Sequence, residues 1–267
     1  MAHAFPDQAT RNATRAARTG SGGPYHSTPA GRVGTTSVQY DGVDGWAALR
    51  SHCPVCLAEL EQVPADEAAL HRLRHAAAED DLRCPLTTQS YQPEEMVVHQ
   101  MRNPVLEGRQ RAAFIGNWTR HYRVMKRLAP SFTVHRLTLL VRYADVLNLW
   151  SYPAIRQHDL PYVLLVLAGF IRDQGPQGDT IWVRFCFDGN VHDVGDLWRD
   201  GGSPPQLFRM VYRPPFETPF PTSRELTHFQ MVGRDAGFLD GPDPTIRSAE
   251  AREFHRFLSM ALVQGAR

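Results

Sequence analysis

The chain has 267 residues, 29 Lys and Arg against 28 Asp and Glu for a formal net charge of +1, with 42% hydrophobic and 21% charged residues. That length holds one large domain, or a domain with a small appended module, and the balance is that of an ordinary globular protein. The near-neutral total by itself says nothing about nucleic acid, since it can hide segregated patches, and four cysteines are too few and too scattered for a disulfide-stapled secreted scaffold.

Residues 1–40 mix Ala, Thr, Gly, Ser, Pro and Arg with almost no large aliphatic side chains. Such a segment cannot bury enough apolar surface to offset chain entropy, so a flexible basic arm is expected, carrying Arg11, Arg15, Arg18 and Arg32. It lacks the apolar run of a secretory leader.

Residues 41–100 are expected to form a small zinc-binding module. A short helix at 46–49 leads into Cys53-Pro54-Val55-Cys56. Two cysteines separated by two residues can bite one metal, because the turn brings both thiolates to the same point. Pro64, with Asp66 and Glu67 behind it, marks a helix start, and residues 68–78 are good helix formers. On that helix His71 and His75 share a face, giving Cys-x2-Cys-x14-His-x3-His, within the zinc-finger spacing window. Cys84 competes with them. Its context, Cys84-Pro85-Leu86-Thr87, echoes the first knuckle with Thr87 where a fourth thiolate would stand. A set of Cys53, Cys56 and Cys84 with one of His71, His75 or His99 is equally sensible. Another helix is expected from 93 to 99. A structural zinc ion is favoured over a catalytic one, since no His-Glu-x-x-His or deaminase signature is present.

Residues 101–267 are expected to form a helical body, with helices at 106–128, 134–150 and 159–173. The third contains the longest apolar stretch, 162–171, too short to span a bilayer and suited to a buried helix. Residues 180–187 and 205–212 read as strands, with Asp188-Gly189-Asn190 as hairpin turn chemistry, and a closing helix runs from 248 to 263. The fold class expected is α+β, mainly helical: a small zinc-stabilised N-terminal module on a helical body, with a short β-hairpin or small sheet in the C-terminal third. Cys186, between two phenylalanines, reads as a small buried hydrophobe.

Between 102 and 136 basic side chains outnumber the single acid, Glu107. Arg109, Arg111, Arg120, Arg123, Lys126 and Arg127, interleaved with Trp118, His121 and Tyr122, are candidates for contact with DNA or RNA, arginine forks matching phosphates and aromatics stacking on bases. Lys126 is the only lysine in the chain; an arginine bias of this kind is the ordinary mark of a GC-rich genome. The function expected is a zinc-stabilised nucleic-acid-binding protein of the bacterial cytoplasm, a regulator or a subunit of a nucleoprotein assembly, with other protein subunits as further partners and no membrane. Walker A, nucleophile-elbow and dinucleotide-binding signatures are missing. Two alternatives stand beside it: a zinc-containing adaptor using the Pro-rich aromatic segment 207–229, and an enzyme with a site near His192 and Asp193.

Overall fold

The computed structural model of the chain describes residues 52–63, 72–88, 96–199, 201 and 204–265. The expected arm at 1–40, the helix at 46–49 and His71 lie outside them. The fold is mixed α+β, with six α-helices and two antiparallel sheets among the described residues.

The first sheet is a hairpin of β1 (Leu60–Val63) and β2 (Arg72–His75), in register Leu60↔His75 to Val63↔Arg72. Residues 68–71 of the expected helix over 68–78 lie outside the described residues, and over 72–75 it fails. Extended backbone carries His75 back beside the first knuckle, and this tertiary pairing outweighs the helix propensity of neighbouring alanines. Among the described residues of this segment, helix starts at α1 (Ala78–Arg83). The second expected helix, 93–99, is absent where it is described: Val97 instead forms an isolated parallel bridge with Asp193.

The long helix expected at 106–128 is two. Asn103 caps α2 (Pro104–Gly116) by accepting from the Leu106 N–H, with Pro104 in the first turn. At Asn117 the backbone leaves helical geometry, its side-chain amide donating back to the Ala113 carbonyl, and α3 (Trp118–Leu128) begins at the next residue. Thr133 caps α4 (Val134–Val146), which ends before Asn148 turns left-handed at φ 57°. Buried α5 (Leu160–Leu167) stops at Gly169, φ 61°, where a side chain would be strained, so the rest of the expected third helix is strand instead.

That strand is β3 (Ile171–Gln174). With β4 (Thr180–Phe187), β5 (Leu207–Tyr212) and β6 (Leu226–Val232) it builds an antiparallel sheet in sequential order. No hairpin forms at Asp188-Gly189-Asn190; residues 188–206 make a long excursion before β5 returns alongside β4. The chain closes with α6 (Ser248–Gly265). No helix among the described residues is long and apolar enough to cross a membrane.

Strand periodicity divides the sheet's side chains between two covers. Val183, Phe185 and Phe187 of β4, with Leu207 of β5, enter a core shared with α2, α3, α4, α5 and α6, where Trp118 stacks on Phe254 at 4.2 Å. The alternate residues Trp182 and Cys186, with Phe208, Met210 and Tyr212, face the other way and pack on Cys53, Val55, Cys84 and Leu86. The cysteine-bearing segments are therefore a third layer on the back of the sheet. Each large apolar side chain they cover there contributes about 1.5–3 kcal/mol.

Candidate metal centre

Two similar turns hold the cysteines. At the first, the Leu57 N–H donates to the Cys53 carbonyl (2.8 Å) and the Cys53 N–H to the Ala58 carbonyl (2.8 Å), with Leu57 in the left-handed region at φ 64°. At the second, the Thr88 N–H donates to the Cys84 carbonyl (2.9 Å), the same four-residue closure. The echo between Cys-Pro-Val-Cys and Cys-Pro-Leu-Thr is thus an echo of backbone conformation. Thr87 does not take the fourth place; its hydroxyl donates to the Asp81 carbonyl.

His75, at the end of β2, fills that place. Cys53, Cys56, His75 and Cys84 bring one donor atom each to within 4.8 Å of one another. Cys53 and Cys84 are fully buried and His75 nearly so. Cys53 Sγ and Cys84 Sγ lie 3.8 Å apart. Metal–sulfur bonds of ~2.3 Å in a tetrahedron place two sulfurs ~3.8 Å apart, so the spacing is that of ligands to one ion. The Cys56 Sγ to His75 Nε2 separation, 3.1 Å, is shorter than the ~3.6 Å edge expected of a sulfur–nitrogen pair. All four cysteines are free thiols. The geometry is consistent with a metal site of three cysteines and one histidine.

Behind the ring, Asp81 Oδ1 meets His75 Nδ1 at 2.6 Å. A carboxylate on the far nitrogen fixes the tautomer in which Nε2 offers its lone pair inward, the arrangement found around metal-bound histidines. Asp81 lies on the short helix α1 directly after β2, in the acidic run Glu79-Asp80-Asp81, which is the signal in the sequence for it.

Charge within the cluster is shared unevenly. Contacts with Cys56 and then Cys84 hold the Cys53 thiol far below its usual range. Cys53 and Cys56, followed by burial, push Cys84 up, while Cys53 and then Cys56 raise His75 to about 11. Three sulfurs this close cannot all ionise by themselves; a divalent cation is the species that lets them do so together.

Of the other candidate ligands, His99 stands outside the four-donor set, its backbone N–H donating to the Tyr152 hydroxyl and Asp193. Cys186 packs against the knuckle from β4, and burial pushes its thiol up to about 12. The 188–190 turn contacts the knuckle too: the Gly189 N–H donates to the Val55 carbonyl at 2.7 Å, and a Cβ at Gly189 would collide with the Cys56 carbonyl. From the second turn, Thr88 O accepts from the Ser223 N–H and Thr87 O from its hydroxyl, tying Cys84 to the start of β6.

The basic residues are placed on α2 and α3, and four of the six meet carboxylates. Arg111 binds Asp145 through two bonds of 2.7 and 3.1 Å, Arg120 meets Asp243 at 3.2 Å, Lys126 meets Glu250 at 3.2 Å and Arg127 meets Asp235 at 3.9 Å. Arg109 and Arg123 are exposed, with no ion pair among the described residues. Near His192, the Asp193 carboxylate accepts from the Tyr152 hydroxyl (3.0 and 2.9 Å), His99 N–H (3.1 Å) and Gly195 N–H (2.7 Å), while Asp196 accepts from the backbone of His192 and Asp193. These acids cap a 3-10 helix, Val194–Trp198, and join distant segments. No family model matches the chain, and neither does any curated protein or solved structure.

Proposed function

We propose that the protein is a zinc-stabilised binding protein: zinc fills the Cys53, Cys56, His75, Cys84 centre, does no chemistry there, and supports a surface that contacts another protein. The observation that carries this reading is a complete set of four protein donors, three of them buried, with Cys53 and Cys84 packed against the sheet. Sulfur-rich tetrahedral sites suit zinc, and one whose four positions are all protein leaves no place for a reacting water. Through Ser223 the centre also supports the base of the 213–225 connection, in which Phe220 stacks on Phe170 at 5.8 Å. Phe216, flanked by prolines, is 98% exposed in that connection. A large apolar side chain held outward by a stiff loop is the kind of anchor that protein interfaces bury.

The test is co-purification of the full chain from nuclease-treated lysate, with Phe216→Ser alongside and zinc content measured in both. Capture by the parent and its loss in the variant, at unchanged zinc, is expected. Capture indifferent to Phe216 rejects the adaptor surface, and zinc well below one per chain rejects the centre.

Nucleic-acid binding is the second reading, favoured by exposed Arg109 and Arg123 on the helical side. Because the other four basic residues already face carboxylates, few phosphates would be neutralised and the salt dependence would be shallow. A salt titration with duplex and single-stranded probes decides it; no binding at low salt ends this reading.

A further inference from the structure

Helix α4 turns an apolar ridge to solvent. Leu139, Tyr143 and Val146 fall at i, i+4 and i+7, the spacing of a buried seam, yet they are 48%, 47% and 77% exposed. Leu139 and Tyr143 also border an open depression of about 490 Å³, lined further by Arg136 and Leu140. On the flank that carries His135 and Arg142, α6 runs alongside α4 in the same direction. His135 Nδ1 meets Glu253 Oε1 at 3.7 Å and, further along both helices, the Arg142 guanidinium lies over the Phe257 ring at 5.5 Å. Beyond that contact α6 adds Met260, 50% exposed. Among the described residues, the exposed side chains of the two helices include Arg142, Arg252, His255 and Arg256 and no carboxylate. The acids in between have partners on this chain: Asp145 meets Arg111, Glu250 meets Lys126 and Glu253 meets His135.

We infer that the α4 and α6 face is the docking site of an acidic amphipathic helix of another protein. Its apolar side chains cover Leu139, Tyr143, Val146 and Met260, and its carboxylates reach Arg142, Arg252 and Arg256. An apolar ridge framed by charge of one sign is the composition of a surface that a partner covers. The sign selects the occupant. A second copy of this chain would set the same arginines against one another, a juxtaposition that interfaces avoid. Nucleic acid would use the arginines, but Leu139, Val146 and Met260 have no ring on which a base can stack. An acidic helix satisfies both parts of the surface. From His135 to Val146 the ridge runs ~17 Å, three helical turns, the length over which a docked helix sets anchors at i, i+3 or i+4 and i+7. The inference is independent of the metal reading and of the Phe216 surface: these helices pack on one face of the sheet and the cysteine layer on the other.

Panning a phage library of random peptides of ~16 residues, enough for four helical turns, on the zinc-loaded full chain tests it. Enriched peptides are synthesised and their affinity read by fluorescence anisotropy for the parent, Leu139→Glu and Arg256→Glu. Both parent side chains are exposed, so the melting temperatures should not change. Expected are sequences with apolar residues at i, i+3 or i+4 and i+7 interleaved with Asp and Glu, and affinity lower by ~10-fold or more in each variant. No enrichment, enriched peptides without that pattern, or affinity that either substitution leaves untouched overturns the inference. A DNA duplex that displaces the peptides and loses affinity with Arg256→Glu alone overturns it too, since the arginines then serve phosphates.

Discussion

Asp81 Oδ1 stands 2.6 Å from His75 Nδ1, and the opposite ring nitrogen, Nε2, faces Cys56 Sγ at 3.1 Å. One short helix after β2 thus supplies the group that orients the ligand at the strand's end. On the zinc reading, this relay makes Asp81 part of the candidate centre without placing it among the four donors.

Replacing Asp81 with Ala should leave all four ligands in place while weakening their hold. Loss of such a carboxylate costs roughly 10–100-fold in metal affinity. Competition against a chromophoric chelator measures it, with Asp81→Glu expected to recover part of the loss. An Asp81→Ala affinity equal to that of the parent would show that the contact is incidental.

The two buried sulfurs on the sheet side should respond differently. Cys84→Ser removes a ligand, so zinc content should fall well below one per chain and the back layer should lose its clamp. Cys186→Ser should keep full zinc, since Cys186 packs on the knuckle from β4 but stands outside the four-donor set. Structural zinc contributes folding energy directly, so Cys84→Ser and strong chelation should lower the melting temperature alike. Metal analysis with thermal melts distinguishes the two cysteines; equal zinc loss would place Cys186 among the ligands.

Cys53, Cys56 and Cys84 were legible from spacing and from the repeated Cys-Pro because a two-residue bite is a local property of the chain. His75 was legible only as one of several histidines. The pairing of His71 with His75 assumed a helix, whereas 72–75 is extended, and only the partner strand at Leu60–Val63 brings His75 to the cysteines. Strand β4 matched its expected bounds because its aromatic and β-branched run is unambiguous, while β3 and β6 were missed. The first hides in apolar sequence continuous with α5, and the second has the mixed polarity of an exposed edge. The arginine face looked segregated because its acids, at 145, 235, 243 and 250, come from distant parts of the chain.

Gly189 was read as a turn residue, but its constraint comes from the knuckle. Its N–H donates to the Val55 carbonyl, and its missing side chain makes room for the Cys56 carbonyl. Gly189→Ala must push the knuckle off the sheet, an overpacking cost of about 1–3 kcal/mol. Chemical denaturation should show that loss together with faster zinc transfer to a chelator. A fully stable Gly189→Ala with parental zinc release would mean that the two backbones are not held this close.

Acid sensitivity should have a source far from the metal. His121 is fully buried, stacked on Phe114 at 4.5 Å with Phe238 edge-on at 5.4 Å, and neither ring nitrogen makes a hydrogen bond of good geometry, Gln157 being no more than a poorly aligned neighbour. Burial pushes it from the ordinary 6.5 down to about 3, with Gln157 pulling weakly the other way. Between those values the unfolded chain binds a proton that the native one refuses. The stability this withholds is intact above pH 6.5 and is lost as pH falls, by about 3 kcal/mol on reaching pH 4.5. Zinc release also destabilises in acid, so the parent alone cannot isolate His121. His121→Phe keeps the ring stack and the metal centre while removing the proton site. The stability difference between variant and parent, from denaturation at matched pH with zinc in excess, should therefore shift in the variant's favour by about 2–3 kcal/mol between pH 7 and 4.5. Parallel pH profiles would mean that a water or a shifted ring hydrogen-bonds His121, and that its charge is tolerated in the core.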